Sequence, residues 1–219
     1  MRRLLPLLAC LAAGPAGAEA NRGPDAGGPP GPVAAYVAAA RLLARGLADE
    51  DAVSVLAALR LARAVHLRPA SGWSADPAAP PPPEDAAGLP RDPGSDEAVK
   101  MLDLMVEGDE ELRLTSEELL ADGPPPRGAS GQRAALAAGG SVVWTLPLYG
   151  QSPAEIGLLG LSGAALELRV RDAEGAEICA PAPADPATLC AFTPAWNGWF
   201  RIEIANPGAA AAGYLLLTN

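Results

Sequence analysis

The side chains of this chain that could do chemistry are few. Its only histidine, His66, stands between Val65 and Leu67, beside Arg68. Any Ser-His-Asp or Cys-His arrangement would have to use it. The plainer role for a histidine at a helix end is to face the negative pole of the helix dipole. Carboxylates are plentiful, and a close pair could perform general acid–base work. The densest set, Asp103, Glu107, Asp109, Glu110, Glu111, Glu117 and Glu118, falls on polar faces or at the starts of amphipathic helices, where solvation is expected. Asp172, Glu174 and Glu177 surround Gly175 and could hold calcium, but not with EF-hand spacing, and a hairpin turn explains them. No catalytic residue, metal site or cofactor is assigned.

Cys179 and Cys190 read as one disulfide in an oxidising compartment, closing a loop of about a dozen residues worth roughly 3 kcal/mol. Zinc would need more ligands than this region has, and a redox pair would prefer C-x-x-C spacing. Cys10 follows Leu7-Leu8-Ala9, as in a bacterial lipobox, yet half of the apolar run comes after it. The expectation is a cysteine inside a discarded leader. Trp196 and Trp199 make the candidate binding surface. Trp199 is out of phase with Phe200, so it faces away from the core, to stack on a sugar or protein partner, to cover a sheet edge or to dock the helices.

The elements that must position these residues are legible from periodicity. Residues 1–20 read as a signal peptide: Arg2 and Arg3, the apolar run Leu4–Ala13, and a small-x-small cleavage motif at Ala16-Gly17-Ala18 or Ala18-Glu19-Ala20. The apolar run is too short to span a bilayer, and no later segment reaches eighteen apolar residues without a charge. A Pro/Gly-rich flexible leader fills 21–32. A helical section covers 33–122. Its first helix is expected over 32–47, and its second runs from an Asp49 cap to about Leu67. A Pro-rich linker, 69–94, should be extended. A second helical pair follows, one helix capped by Ser95 and the other running from Asp109 to Ala121. The two pairs align weakly at an offset of 59, as a duplication or as two similar amphipathic hairpins would.

From about 128 to 219 the composition turns to short strands, expected at 132–138, 141–149, 154–161, 164–171, 176–180, 188–193, 198–206 and 213–218. Phe200, Ile202 and Ile204 alternate with Arg201 and Glu203, the period of a half-buried strand. The fold class is α+β by segregated domains: helical hairpins, then an antiparallel β-sandwich with a jelly-roll or Greek-key path.

Three pieces of this C-terminal part carry a resemblance. They are the alternating strand from Leu166 into the Asp-x-x-Gly turn ending at Gly175, the run Trp196-x-Gly198-x-Phe200-x-Ile202-x-Ile204-x-Asn206, and the closing Tyr214-x-Leu216. The part from about 132 to 219 resembles the bacterial pre-peptidase C-terminal (PPC-like) β-sandwich domains. That resemblance implies an accessory module of exported proteins without catalytic residues of its own. Where family members often carry Asp-Leu-Asp, Ala165-Leu166-Glu167 stands here, one carboxylate short of a cation-binding set. The helical section matches no family in this way.

The net charge of −10 argues against nucleic acid and against an anionic membrane surface. The expectation is therefore a periplasmic or secreted, non-enzymatic binding or scaffolding protein whose partner is a protein or a glycan. A secreted hydrolase using carboxylates between the two sections is the alternative. An accessory domain for secretion or stability is the third reading.

Overall fold

A computed structural model describes residues 19–24, 29–81, 90–121, 127–163, 165–180 and 186–219. Cys10 and all of the expected signal peptide except Glu19 and Ala20 lie outside the described residues. The chain is α+β, with four helices and two mostly antiparallel sheets of five strands each.

Helix α1 (Pro32–Ala48) starts with proline at its first turn, where the missing N–H costs nothing. Helix α2 (Ala52–Arg63) is capped by Asp51, whose carboxylate accepts from the Val53 N–H at 3.0 Å. The sequence pointed to Asp49 as this cap; Asp49 instead ends α1 and pairs with Arg45 one turn back. Helix α2 also stops earlier than its periodicity suggests. Val65–Pro69 leave it as strand β1, so His66 lies on a strand and not at a helix end. The cause is tertiary. β1 pairs in parallel with β3 (Arg127–Leu136), and the Arg127 N–H satisfies the Ala64 carbonyl at 2.8 Å. Pro69, lacking an N–H, is tolerated because β1 is an edge strand.

The stretch expected as a linker also enters a sheet, as strand β2 (Ser74–Asp76). Just before it, Trp73 packs edge-on against Trp144, ring centres 6.2 Å apart. A three-residue strand is too short to display a period, which is why sequence patterning passes over it. Helix α3 (Asp96–Met105) is capped by Ser95 as expected, through the Ala98 N–H at 3.2 Å. Helix α4 (Glu110–Ala121) is capped by Asp109. Both pack on α2, in a cluster of Leu43, Val55, Leu59, Leu102 and Val106.

The remaining strands are β4 (Ser141–Leu148), β5 (Ala154–Gly160), β6 (Glu167–Arg171), β7 (Glu177–Cys179), β8 (Ala187–Phe192), β9 (Gly198–Ala205) and β10 (Ala212–Thr218). The first sheet runs β1-β3-β10-β5-β8 and the second β2-β4-β9-β6-β7. Side chains of both sheets meet in one core, with Ile156, Leu158, Tyr214 and Leu216 from the first and Trp144, Leu146, Phe200, Ile202 and Ile204 from the second. The Trp144 indole N–H donates to the Tyr214 hydroxyl at 2.8 Å across that core. Burial raises the Tyr214 pKa above the ordinary tyrosine value.

The opposite face of the first sheet is covered too. Leu159, Leu215 and Leu217 pack with Val33, Tyr36, Val37 and Ala40 of α1. A Cβ on Gly157 would stand 2.6 Å from Val33 Cγ1, so glycine there lets α1 sit close on β5. The N-terminus of α1 is held by the same strand. The buried Glu155 carboxylate accepts from the Gly31, Val33 and Ala34 N–H groups at 2.7, 3.0 and 3.1 Å. An anion at the positive pole of a helix is stabilised by the dipole and by these otherwise orphaned donors.

Cys179 and Cys190 are bonded, and they join β7, at the edge of the second sheet, to β8, at the edge of the first. At the opposite edges β1 and β2 are joined by residues 70–73. Covalent links therefore close both sides of the inter-sheet core.

Candidate binding surface

The second sheet turns one face to solvent. Along β9, Phe200, Ile202 and Ile204 point inward and Trp199, Arg201 and Glu203 outward, as the period-two reading requires. The register sets Arg201 opposite Thr145 of β4, and Thr145 opposite Ser74 of β2. Trp199, Arg201, Thr145, Val143, Ser74 and Asp76 line an open depression of about 390 Å³. Trp199 is 55 % exposed. The helices contact the first sheet, so Trp199 does not dock the helical section. An indole beside two hydroxyls, a carboxylate and a guanidinium offers a flat apolar platform with donors and acceptors at its border.

Trp196 stands at the loop that enters β9 and is 48 % exposed. That loop is clamped from two sides. The side chain of Asn21 accepts from the Ala195 and Trp196 N–H groups at 2.8 and 3.0 Å and donates to the Trp196 carbonyl at 3.0 Å. From the other side, Gly150 N–H donates to Asn197 Oδ1 at 2.8 Å, and Gln151 N–H to the Pro194 carbonyl at 2.7 Å. A Cβ on Gly150 would lie 2.5 Å from Trp196 Cα, so only glycine permits this approach. Tyr149, next to it, is the most exposed aromatic among the described residues. Three exposed aromatics, Tyr149, Trp196 and Trp199, thus share one end of the second sheet.

The expected flexible leader begins with a fixed residue. Asn21 is only 2 % exposed, and its backbone N–H donates to Asp172 Oδ2 at 2.8 Å. Asp172, wholly buried, also accepts from the Ala176 N–H at 2.7 Å through Oδ1. It closes the turn whose Gly175 has φ +87°. Glu177 pairs with Arg169 at 3.1 Å, and among the described residues no group of three metal-ligating side chains forms. The Asp172–Glu174–Glu177 set is a turn, the simpler of its two readings.

The other sequence candidates stay apart. His66 is exposed on β1. Asp103, Glu107, Asp109, Glu110, Glu111, Glu117 and Glu118 are all exposed. Glu110 and Glu117 both pair with Arg113, and the Arg113 hydrogen bond holds Glu110 below the ordinary carboxylate range. Of these acids, Asp103 and Glu117 line a common depression, an open one of about 290 Å³ shared with Arg63 and Arg113.

Sequence reasoning missed three polar anchors. Glu155 interrupts an otherwise apolar strand, and a charge in such a run is itself a signal of a partner. Asp92, buried, accepts from the Tyr36 hydroxyl, the Gly94 N–H and Arg133, tying α1 and β3 to the loop before α3. Burial first, and then Asp92, raise the Tyr36 pKa well above the ordinary value. Asn21 carries no local signal, since its partners lie about 150 positions or more away.

No family model matches the chain, and no curated protein matches it. Among solved structures it is similar to the pre-peptidase C-terminal domain of a collagenase from Bacillus anthracis. The match is at 14 % identity, covers 41 % of this chain and 87 % of that one, and has a TM-score of 0.32. It also matches a sugar phosphate isomerase of the cupin superfamily from Silicibacter pomeroyi at 18 % identity, covering 40 % of this chain and 59 % of that one, with a TM-score of 0.18. At such TM-scores neither likeness bears on function.

Proposed function

We propose that the chain is an exported, non-enzymatic binding module, a helix-backed β-sandwich of PPC-like type, whose second sheet takes a glycan on its open face. The observation that carries this reading is Trp199, with most of an indole in solvent at the border of a depression lined by Arg201, Thr145, Ser74 and Asp76. Sugars present a flat C–H face ringed by hydroxyls. They bind where an aromatic plane is bordered by groups that donate and accept hydrogen bonds. A protein partner would want a larger apolar centre than this depression offers. Periplasmic or secreted localisation is supported by the leader-like N-terminus and by the Cys179–Cys190 bond, which persists in oxidising compartments. Among the described residues no helix is long and apolar enough to cross a membrane. The hydrolase alternative has less support, because the acids of the densest set are all exposed to solvent.

The test is a printed array of bacterial envelope oligosaccharides probed with the full chain after export. Retention of wild type on a subset of sugars, with at least a tenfold loss in Trp199→Ala and Arg201→Ala, is the expected result. Equal retention of wild type and both variants, or no retention of wild type at any sugar, would overturn the glycan reading.

A further inference from the structure

Asn21 follows immediately after Ala18-Glu19-Ala20, one of the two small-x-small motifs at the end of the leader-like segment. Its backbone nitrogen lies 2.8 Å from a carboxylate oxygen of Asp172, an aspartate with no exposed surface. Its side chain makes the three hydrogen bonds that hold the Trp196 loop. We propose that the chain is cut between Ala20 and Asn21, and that the α-ammonium created on Asn21 is held in the fold as the ion-pair partner of Asp172. This rests on the export reading above.

The physical argument concerns the carboxylate. Both donors it receives among the described residues are backbone N–H dipoles, from Asn21 and Ala176. A buried carboxylate is far better compensated by a full positive charge than by an amide. Cleavage at Ala20–Asn21 makes that exchange at the atom already in contact, with no side chain moved. A cut after Ala18 would leave the Asn21 nitrogen an amide. What the cut gives up is small: the half-buried Ala20 methyl at the margin of the core, and the Ala20 carbonyl that accepts from Arg22 N–H. The step is a hydrolysis. Water adds across the amide, Ala20 keeps the carboxylate, and the released Asn21 amine takes up a proton. An export endopeptidase with pockets for small side chains supplies the catalysis. Because Asn21 is almost fully buried once folded, the cut precedes folding, and the same residue that marks it then fixes the loop presenting Trp196.

The full chain is produced in a Gram-negative host, and the intact mass of the exported protein is measured. A mass equal to residues 21–219 less two hydrogens is expected. An exported protein beginning at Glu19, or anywhere other than Asn21, overturns this inference and leaves export standing. A full-length chain confined to the cytosol overturns both. The ion pair is read separately by amine acylation, because Lys100 is the only lysine and is exposed, an internal standard in the same molecule. In the mature protein the Asn21 amine should acylate at least tenfold more slowly than in Asp172→Asn, with Lys100 unchanged. Equal rates overturn the pair. If that variant does not fold, the wild-type pH profile decides. A paired ammonium starts to react only above the pH at which a free α-amine does, whereas a profile at or below that pH refutes the pairing.

Discussion

The two sheets have equal numbers of strands, but only one of them has a free face. In the first, β5 and β10 are buried at every position, because Ile156, Leu158, Tyr214 and Leu216 meet the second sheet while Leu159, Leu215 and Leu217 meet α1. In the second, β4, β6 and β9 alternate between core and solvent. The outer positions are held by ion pairs such as Arg171–Glu203 at 3.1 Å and carry Trp199 and Arg201. A strand packed on both sides has no position to spare for recognition. A strand packed on one side can vary every second residue at little cost to the fold.

The largest effect expected from this difference lies in the helix-facing layer of the first sheet. Leu159→Ala should lower stability by about 3–4 kcal/mol, read from urea unfolding, because a wholly buried leucine leaves a cavity between β5 and α1. Thr145→Ala, on the open face of the second sheet, should move it by less than about 0.5 kcal/mol. Comparable losses in the two variants would mean that the helical layer is not part of the core. Next comes the bond between the sheets. Cys179→Ser with Cys190→Ser should cost about 3 kcal/mol or somewhat less, because the short loop between the edges β7 and β8 is then no longer cross-linked while the shared core remains. No change in the unfolding midpoint would show that packing alone sets how the two sheets meet.

The same contrast explains what could be read from the sequence. All eight strands expected after residue 128 are present, most to within two residues, since β4, β6 and β9 show their period and β5 and β10 show apolar runs between turns, broken in β5 by Glu155. Phe200, Ile202 and Ile204 are buried and Trp199 is open, as their spacing demands. What stayed hidden depends on partners distant in the chain. Val65–Leu67 reads as the end of a helix by local period and becomes part of a strand only because β3 offers an edge. Residues 74–76 become a strand because β4 does. The clamp on Trp196 needs Asn21, which no window of neighbouring residues could link to it. Trp199 was legible as an outward side chain, but its neighbours Ser74, Asp76 and Thr145 come from two other strands and were not.

A smaller effect tests how the first sheet holds its helices. Glu155→Gln keeps an acceptor near the start of α1 but removes the charge facing the Gly31, Val33 and Ala34 N–H groups. The expected cost is about 1–2 kcal/mol, with faster amide exchange in the first turn of α1. A loss spread evenly over the protein's amides, with no bias to that turn, would show that Glu155 supports the sheet and not the cap.

The smallest stability effect belongs to the residue given the largest functional role. Trp199 is more than half exposed, and its strand is held by Phe200, Ile202 and Ile204 on the other face, so Trp199→Ala should change unfolding free energy by no more than about 0.5 kcal/mol. A large aromatic kept in water contributes little to folding, so its effect on stability and its effect on ligand retention can be measured independently. The informative comparison is Trp199→Ala beside Trp144→Phe. The second removes an indole buried in the core and its hydrogen bond to Tyr214, and should cost about 1–3 kcal/mol while sparing retention at temperatures where the protein stays folded. If Trp199→Ala is the destabilising variant of the two, the outer face of the second sheet is structural, and the asymmetry between the sheets has been drawn at the wrong surface.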